Sequence, residues 1–371
     1  MNRLVFKFSC FNHGWLQFLS ASLCLLLFLI ISGNSRCLAE SSTRLITDFL
    51  GRKVTIPTKI HRVISTCPTT TTIVYMLAPE KLLGWNLKQD SRHTPPQYAA
   101  LPVLGGWFGL WSGNYETIIN MQPDVILYET LFDNPDGGSL EILTDRQRKF
   151  GDISVVGIFG SGDISCMDEP IRFIGDILNT PKKALELVDF HQDIMRMVSD
   201  RLEKIPHKDR IRVYYAERPD GLSTDPSGSR HSALIHMCGG INVADCPLKQ
   251  GMGLTKVSME QVLQWNPNVI ITEQRQIFNA IEKSQLWAGI EAVRTNRIYL
   301  TPRGPFCWFD RPPGASTILG ILWTAMKLHP DRFRDIDLRD LTRRFYADFY
   351  HYRMTDVELN QLLGPSPNLR K

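Results

Sequence analysis

The sequence contains no CxxC pair, no HExxH and no tight His/Cys cluster, so nothing in it has the ligand spacing of a structural zinc site. GxGxxG spacing is missing too, as is the lysine of a phosphate-binding loop. Gly105-Gly106 and Gly239-Gly240 are therefore read as turn or close-packing positions, and ATP hydrolysis is not expected of this chain. Charge of one sign is scarce. The formal charge of +4 over 371 residues falls to +1 without the first 39, which hold Arg3, Lys7 and Arg36 and no acidic residue. That balance offers no electrostatic basis for binding nucleic acid. Beyond residue 39 no run is long and apolar enough to span a membrane.

The first 39 residues have their own logic. Arg3 and Lys7 precede an almost unbroken apolar run from Trp15 to Ile31, and Cys37-Leu38-Ala39 supplies small residues for cleavage. A cleaved export signal over 1–39 and a periplasmic location follow, with a retained anchor as the alternative. Asn34-Ser-Arg-Cys37 is a poor lipoprotein signal. Five of the eight cysteines lie beyond this segment: Cys67, Cys166, Cys238, Cys246 and Cys307. Export permits disulfides, and Cys238 with Cys246, separated by a short glycine-containing loop, is the expected pair. Cys67 and Cys307 are read as two separate thiols in preference to a bond across a cleft.

The longest regular stretch runs from Pro181 to Ile205. Thr180 is placed to cap it, Pro181 suits its first turn, apolar residues recur at helical spacing, and Pro206 ends it. At 1.5 Å per residue it spans roughly 37 Å, enough to cross between domains. Two similar segments flank it, 114–129 and 258–273. In each, a glutamate (Glu116, Glu260) precedes by seven positions a proline (Pro123, Pro267) that separates a short amphipathic helix from a β-branched strand. Strands and helices alternate on either side, which argues for sheets covered by helices. The expected fold is α/β: two Rossmann-like lobes joined by a single long backbone helix, with a ligand cleft between them. The expected division is an N-terminal extension at 40–57, a first lobe at 58–166, connecting helices at 167–205, a second lobe at 206–350 and a tail at 351–371.

Ligands of open α/β sheets collect beyond the carboxyl ends of the strands. The loops projected there are 67–72, 92–93, 107–111, 129–132, 215–229 and 303–311. They carry aromatic and basic groups that suit a large anionic chelate: indole faces supply apolar area and guanidinium forks hold oxyanions. Trp107 and Trp111 are candidates for ligand contact, with core plugging as the rival. Arg92, Arg230, His231, Arg303, Trp308 and Arg311 are further candidates, although Asp310 and the two prolines after Arg311 could simply organise a turn. Cys67, His93, Tyr215, His231 and Cys307 could each complete a transition-metal shell, though the sequence shows no compact ligand motif. His191 is read as packing.

From about residue 58 to 350 the chain resembles the periplasmic substrate-binding proteins of ABC importers for iron-siderophore complexes, haem and cobalamin. The resemblance rests on Arg62-Val-Ile-Ser65, the two Glu/Pro segments, residues 230–244, residues 287–293 and Asp310-Arg-Pro-Pro313, in that order. It implies two lobes on one long helix and a ligand held between them without covalent chemistry. It further implies a monomer with no cofactor. Glu116 and Glu260 would dock onto basic pockets of an inner-membrane permease whose ATPase subunits supply the energy. The implied cargo is a metal chelate, with a ferric siderophore first and haem, a corrinoid or a molybdate-type oxyanion behind it. A different class, an exported metalloenzyme using the cleft, would need Cys67, His93, Glu129 and His231 to assemble a reactive centre.

Overall fold

The computed structural model describes residues 42–108, 111–129, 138–248 and 253–365. The expected export signal, residues 109–110 of the aromatic loop, residues 130–132 after Glu129 and the end of the tail lie outside them. Among the described residues no helix is long and apolar enough to cross a membrane.

Strands β1 (Thr43–Thr47) and β2 (Lys53–Pro57) form an antiparallel pair at the start. Strands β3 (Val63–Ser65), β4 (Val125–Glu129) and β5 (Ser154–Ile158) make a three-stranded parallel sheet in that order. The second half supplies β6 (Ile211–Ala216), β7 (Ser223–Thr224), β8 (Gly240–Asn242), β9 (Thr255–Lys256), β10 (Val269–Thr272) and β11 (Ile298–Leu300). Four of these build a parallel sheet ordered β11-β10-β6-β8, and β7 pairs with β9 alongside. β4 is buried at every position, as parallel strands covered on both faces require.

The long helix spans Pro181–Leu202, 22 residues and about 33 Å. Pro181 opens it, but Thr180 does not cap it: its hydroxyl is buried without a hydrogen-bond partner. Leu187, Val188, Ile194 and Val198 face inward. Helix Asp168–Ile177 crosses it at Gly175, where a Cβ would come within 2.3 Å of that of Ala184. His191 is a packing residue, as expected, with Nδ1 2.7 Å from Asp168 Oδ1.

The helix is not an exposed rod between separate bodies. Val63 and Val125 of the first sheet, Val213 and Val269 of the second and the inward face of the helix belong to one continuous apolar core. Residues Thr43–Lys371 accordingly form a single compact unit. The helix Leu338–Phe349 folds back over the first half, so that the Tyr75 hydroxyl donates to the Tyr350 carbonyl at 2.7 Å and Phe345 packs on Phe190. Within the expected tail, Asp356–Leu363 is a helix closed by a Thr355/Glu358 capping box.

All five cysteines are free thiols, which corrects the expected Cys238–Cys246 bond. Gly239 takes a left-handed turn (φ 73°) after Cys238. The Cys238 thiol then donates to the Ile321 carbonyl at 3.1 Å inside the main core, while Cys246 packs against a different apolar cluster.

Candidate functional site

The two Glu/Pro segments prove to be copies of each other. Asn114 and Ser258 cap the two helices, Tyr115–Asn120 and Met259–Trp265. Gln122 and Asn266 both turn the chain with positive φ (46° and 40°) just before the prolines. The backbone N–H of Arg62 then donates to Asp124, and that of Arg212 to Asn268, at 2.9 and 3.2 Å. Each arginine side chain also donates to carbonyls at the end of its helix, Met121 and Trp265. Val125 pairs with Val63, and Val269 with Val213. From 114 to 128 and from 258 to 272 the sequence of buried, half-buried and exposed positions is the same throughout. One unit therefore occurs twice, and it runs to Glu129 at the end of β4 in one copy and to Glu273 directly after β10 in the other.

Glu129 is 1% exposed. It accepts from Thr70 Oγ1 at 2.6 Å and from Ser161 Oγ at 2.5 Å. Burial pushes its carboxyl up to about 7, against the hydrogen bonds from Ser161 and Thr70 and the charge of Arg230. Glu273 accepts from Arg303 Nη2 at 3.1 Å; burial, aided by the charge of Asp310, raises it as well. A third buried carboxylate, Glu217 just after β6, is pushed up to about 9 by burial despite Arg311.

Arg311 lies at the centre of a closed network. It donates to Glu217 Oε1 at 2.9 Å and to Asp225 Oδ2 at 2.8 Å, and its Nε lies 3.4 Å from Asp310 Oδ2. His231 Nδ1 is 2.8 Å from Asp310 Oδ1. The ligand atoms of Asp225, His231 and Asp310 lie within 4.8 Å of one another, close enough for a cation, but the Arg311 guanidinium already bonds Asp225 and faces Asp310. Neutralisation within the protein is the simpler description of these charges.

Several expected contacts are turned inward instead. Trp107 plugs the first half, its ring 4.7 Å from Tyr115 and 5.7 Å from Phe150, with the Arg146 guanidinium 4.8 Å above it. Trp308 is fully buried and donates Nε1 to Tyr346 at 3.3 Å. Tyr215 is buried against Phe309, with ring centroids 4.8 Å apart. Cys67 and Cys307 are buried, and burial pushes each thiol up to about 12, as for thiols enclosed in a core. His93 is wedged between Tyr346 and Tyr352, and burial lowers its pKa. Arg92 pairs with Asp90 at 2.9 Å. Trp111 stays 55% exposed, stacked on Phe108.

Among the described residues, both halves line a cavity of about 690 Å³. Its lining joins residues 162–165 beyond β5 to residues 227–230 and to edge strand β8. Ser161 and Gly162 meet Pro313 and Gly314 at its wall, so closely that a Cβ on Gly314 would lie 2.3 Å from the Ser161 carbonyl. Arg210, Arg230, His207 and His236 line it, against the single acid Asp163, whose Oδ1 accepts from Ser165 N and Oγ at 2.9 and 2.6 Å. Arg210 Nε is buried with no hydrogen-bond partner. Arg230 reaches across the junction electrostatically, its charge acting on both Glu129 and Cys67. Of these groups the sequence singled out only Arg230. Arg210 sits where β6 begins, away from the strand-end loops that the sequence pattern points to, and Phe159, 42% exposed directly after β5, carries no local signal either.

Two halves repeated on parallel sheets, with a cavity lined from both, are the architecture of a binding protein. The chain belongs to the periplasmic binding protein family, whose model matches residues 63–304. It is 29% identical over 337 residues to the molybdate-binding protein MolA of Haemophilus influenzae, covering 85% of this chain and 93% of that one. The structure of MolA bound to molybdate superposes with a TM-score of 0.67 at 26% identity, over 84% of this chain and 99% of that chain. An ABC transporter solute-binding protein from Sulfurospirillum deleyianum gives a TM-score of 0.78 at 28% identity, over 86% and 99% of the two chains. A vitamin B12-binding protein of Vibrio cholerae is 25% identical over 265 residues, 69% of this chain and 85% of that one. The expected family and fold therefore stand, as does the general role of substrate-binding protein of an ABC importer.

Proposed function

We propose that this chain is the periplasmic substrate-binding component of an ABC importer and that its cargo is an oxyanion of the molybdate type, ahead of the ferric siderophore first expected. The observation that carries this reading is the lining of the interlobe cavity: two arginines and two histidines face it against one engaged aspartate, while Trp107, Trp308 and Tyr215 are withdrawn into the cores. Guanidinium groups hold tetrahedral oxyanions through paired, charge-assisted hydrogen bonds. The similarity to MolA along nearly its whole length supports the same choice. A small anionic metal chelate is the second reading, favoured by a volume of about 690 Å³ and by the exposed rings of Trp111 and Phe159.

The working division keeps lobes at 58–166 and 206–350, joined by 167–205. Glu116 and Glu260, exposed at the second position of the two repeated helices, are the docking groups for an inner-membrane permease. Their ordinary local role, an acid favoured near a helix start, is compatible with that. Cargo is released unaltered as the permease parts the lobes, with energy from its ATPase subunits. The test is native mass spectrometry with elemental analysis on protein purified from its own periplasm. Molybdenum with no organic mass supports the oxyanion, whereas iron or cobalt with an organic ligand overturns it in favour of the chelate.

A further inference from the structure

The repeated unit exposes more than its glutamate. One position inward of each helix is buried, Ile118 at 1% and Val262 at 0%, yet its neighbour is an aliphatic side chain left in solvent: Ile119 is 37% exposed and Leu263 is 43% exposed. Each sits three residues after the exposed glutamate, one turn on and on the same helical face. A single exposed aliphatic residue needs no explanation. Two at the same position of two copies, beside the same acid, with every neighbouring position matched in burial, point to one surface used twice.

We infer that each lobe presents a two-part contact, Glu116 with Ile119 and Glu260 with Leu263, to two equivalent sites on the permease, each a basic pocket with an apolar lip. The inference rests on the importer reading. Division of labour follows from the physics. The carboxylates steer approach and set orientation through a field that salt screens. The aliphatic pair excludes water around the charge pair and lengthens the life of the complex, as apolar contacts surrounding a hot spot do. The repeat also fixes the partner's shape, because two copies of one surface fit a partner with two-fold symmetry.

The experiment immobilises the cognate permease–ATPase complex in nanodiscs and measures binding of the mature protein at low and high salt. Variants are Ile119→Ser, Leu263→Ser, their double, Glu116→Gln/Glu260→Gln, and Val357→Ser as an exposed aliphatic control at 65% exposure. Each serine variant should raise the dissociation rate by ~5–10-fold with its salt dependence intact. The glutamine pair should slow association and flatten the salt dependence, and the control should behave as wild type. Wild-type dissociation from the Ile119→Ser/Leu263→Ser double, with the glutamine pair impaired, overturns the apolar half alone. Failure of the wild-type protein to bind the permease at all overturns the importer reading itself. Unchanged molybdate affinity in every variant separates docking from cargo capture, and a loss of affinity in the serine double overturns the assignment to a docking surface.

Discussion

Replacing Glu129 by glutamine should remove a pH dependence of stability that the structure builds into the first half. The side chain is buried beneath Thr70 and Ser161, with the Cys67 thiol close by and Arg230 facing it from the second half; burial raises its carboxyl from an ordinary 4.5 to about 7. A group that binds its proton more tightly in the folded chain contributes most at low pH. Its contribution is complete below about 4.5 and is lost as pH rises to about 7, and the difference in pKa corresponds to ~3 kcal/mol across that window. Glutamine keeps the shape and can still accept from Thr70 or Ser161, but it cannot ionise. Urea unfolding of wild type and Glu129→Gln at several pH values between 4.5 and 8 gives the difference directly. Glu217 and Glu273 titrate in both proteins, so the subtraction cancels them. The variant should gain on the wild type steadily up to about pH 7 and then hold a constant lead. A stability difference that does not change with pH would refute the reasoning, because it would mean that Glu129 is ionised throughout or reaches water.

Three further outcomes follow from particular contacts. Trp308→Ala should cost ~3–5 kcal/mol in chemical denaturation, the usual penalty for emptying a buried aromatic site, while the folded variant binds cargo within about twofold of wild type. Gly314→Ala should weaken cargo binding in calorimetry by at least ~10-fold, since a Cβ 2.3 Å from the Ser161 carbonyl forces the junction at the cavity wall apart. Thiol titration of the mature protein in denaturant without reductant should count five reactive groups, and three would restore the Cys238–Cys246 bond.

Much of the architecture was legible because it follows local rules. The helix at Pro181 was found from its proline and its apolar spacing, and it stops at Leu202, three residues early, ahead of the break that Pro206 imposes. The two Glu/Pro segments were recognisable as relatives, and the caps, turns and arginine contacts that make them copies only sharpened the match. The short β7/β9 pair and the helix at Asp356–Leu363 are too brief or too polar to stand out in the sequence. The site was less legible. A residue in a strand-end loop can turn toward a cleft or into the core, and distant partners decide which. Trp107 lies over Gly113, where a Cβ would come within 2.8 Å of its ring, and the Trp308 carbonyl lies against Gly320. Arg303 and Arg311 are claimed by Glu273 and Glu217, 30 and 94 residues away in the chain, which no local pattern announces. Arg230 keeps its place at the cavity because the junction of the two halves leaves space beside it.

The most direct test of the central claim is an isothermal titration of the mature protein with sodium molybdate, run beside Arg230→Ala. Saturable one-to-one binding that the alanine variant weakens by ~10-fold or more is the expected result, as loss of a charge-assisted contact in a partly enclosed site requires. No heat from the wild-type protein, or equal affinity in the two proteins, would contradict an oxyanion held at this cavity.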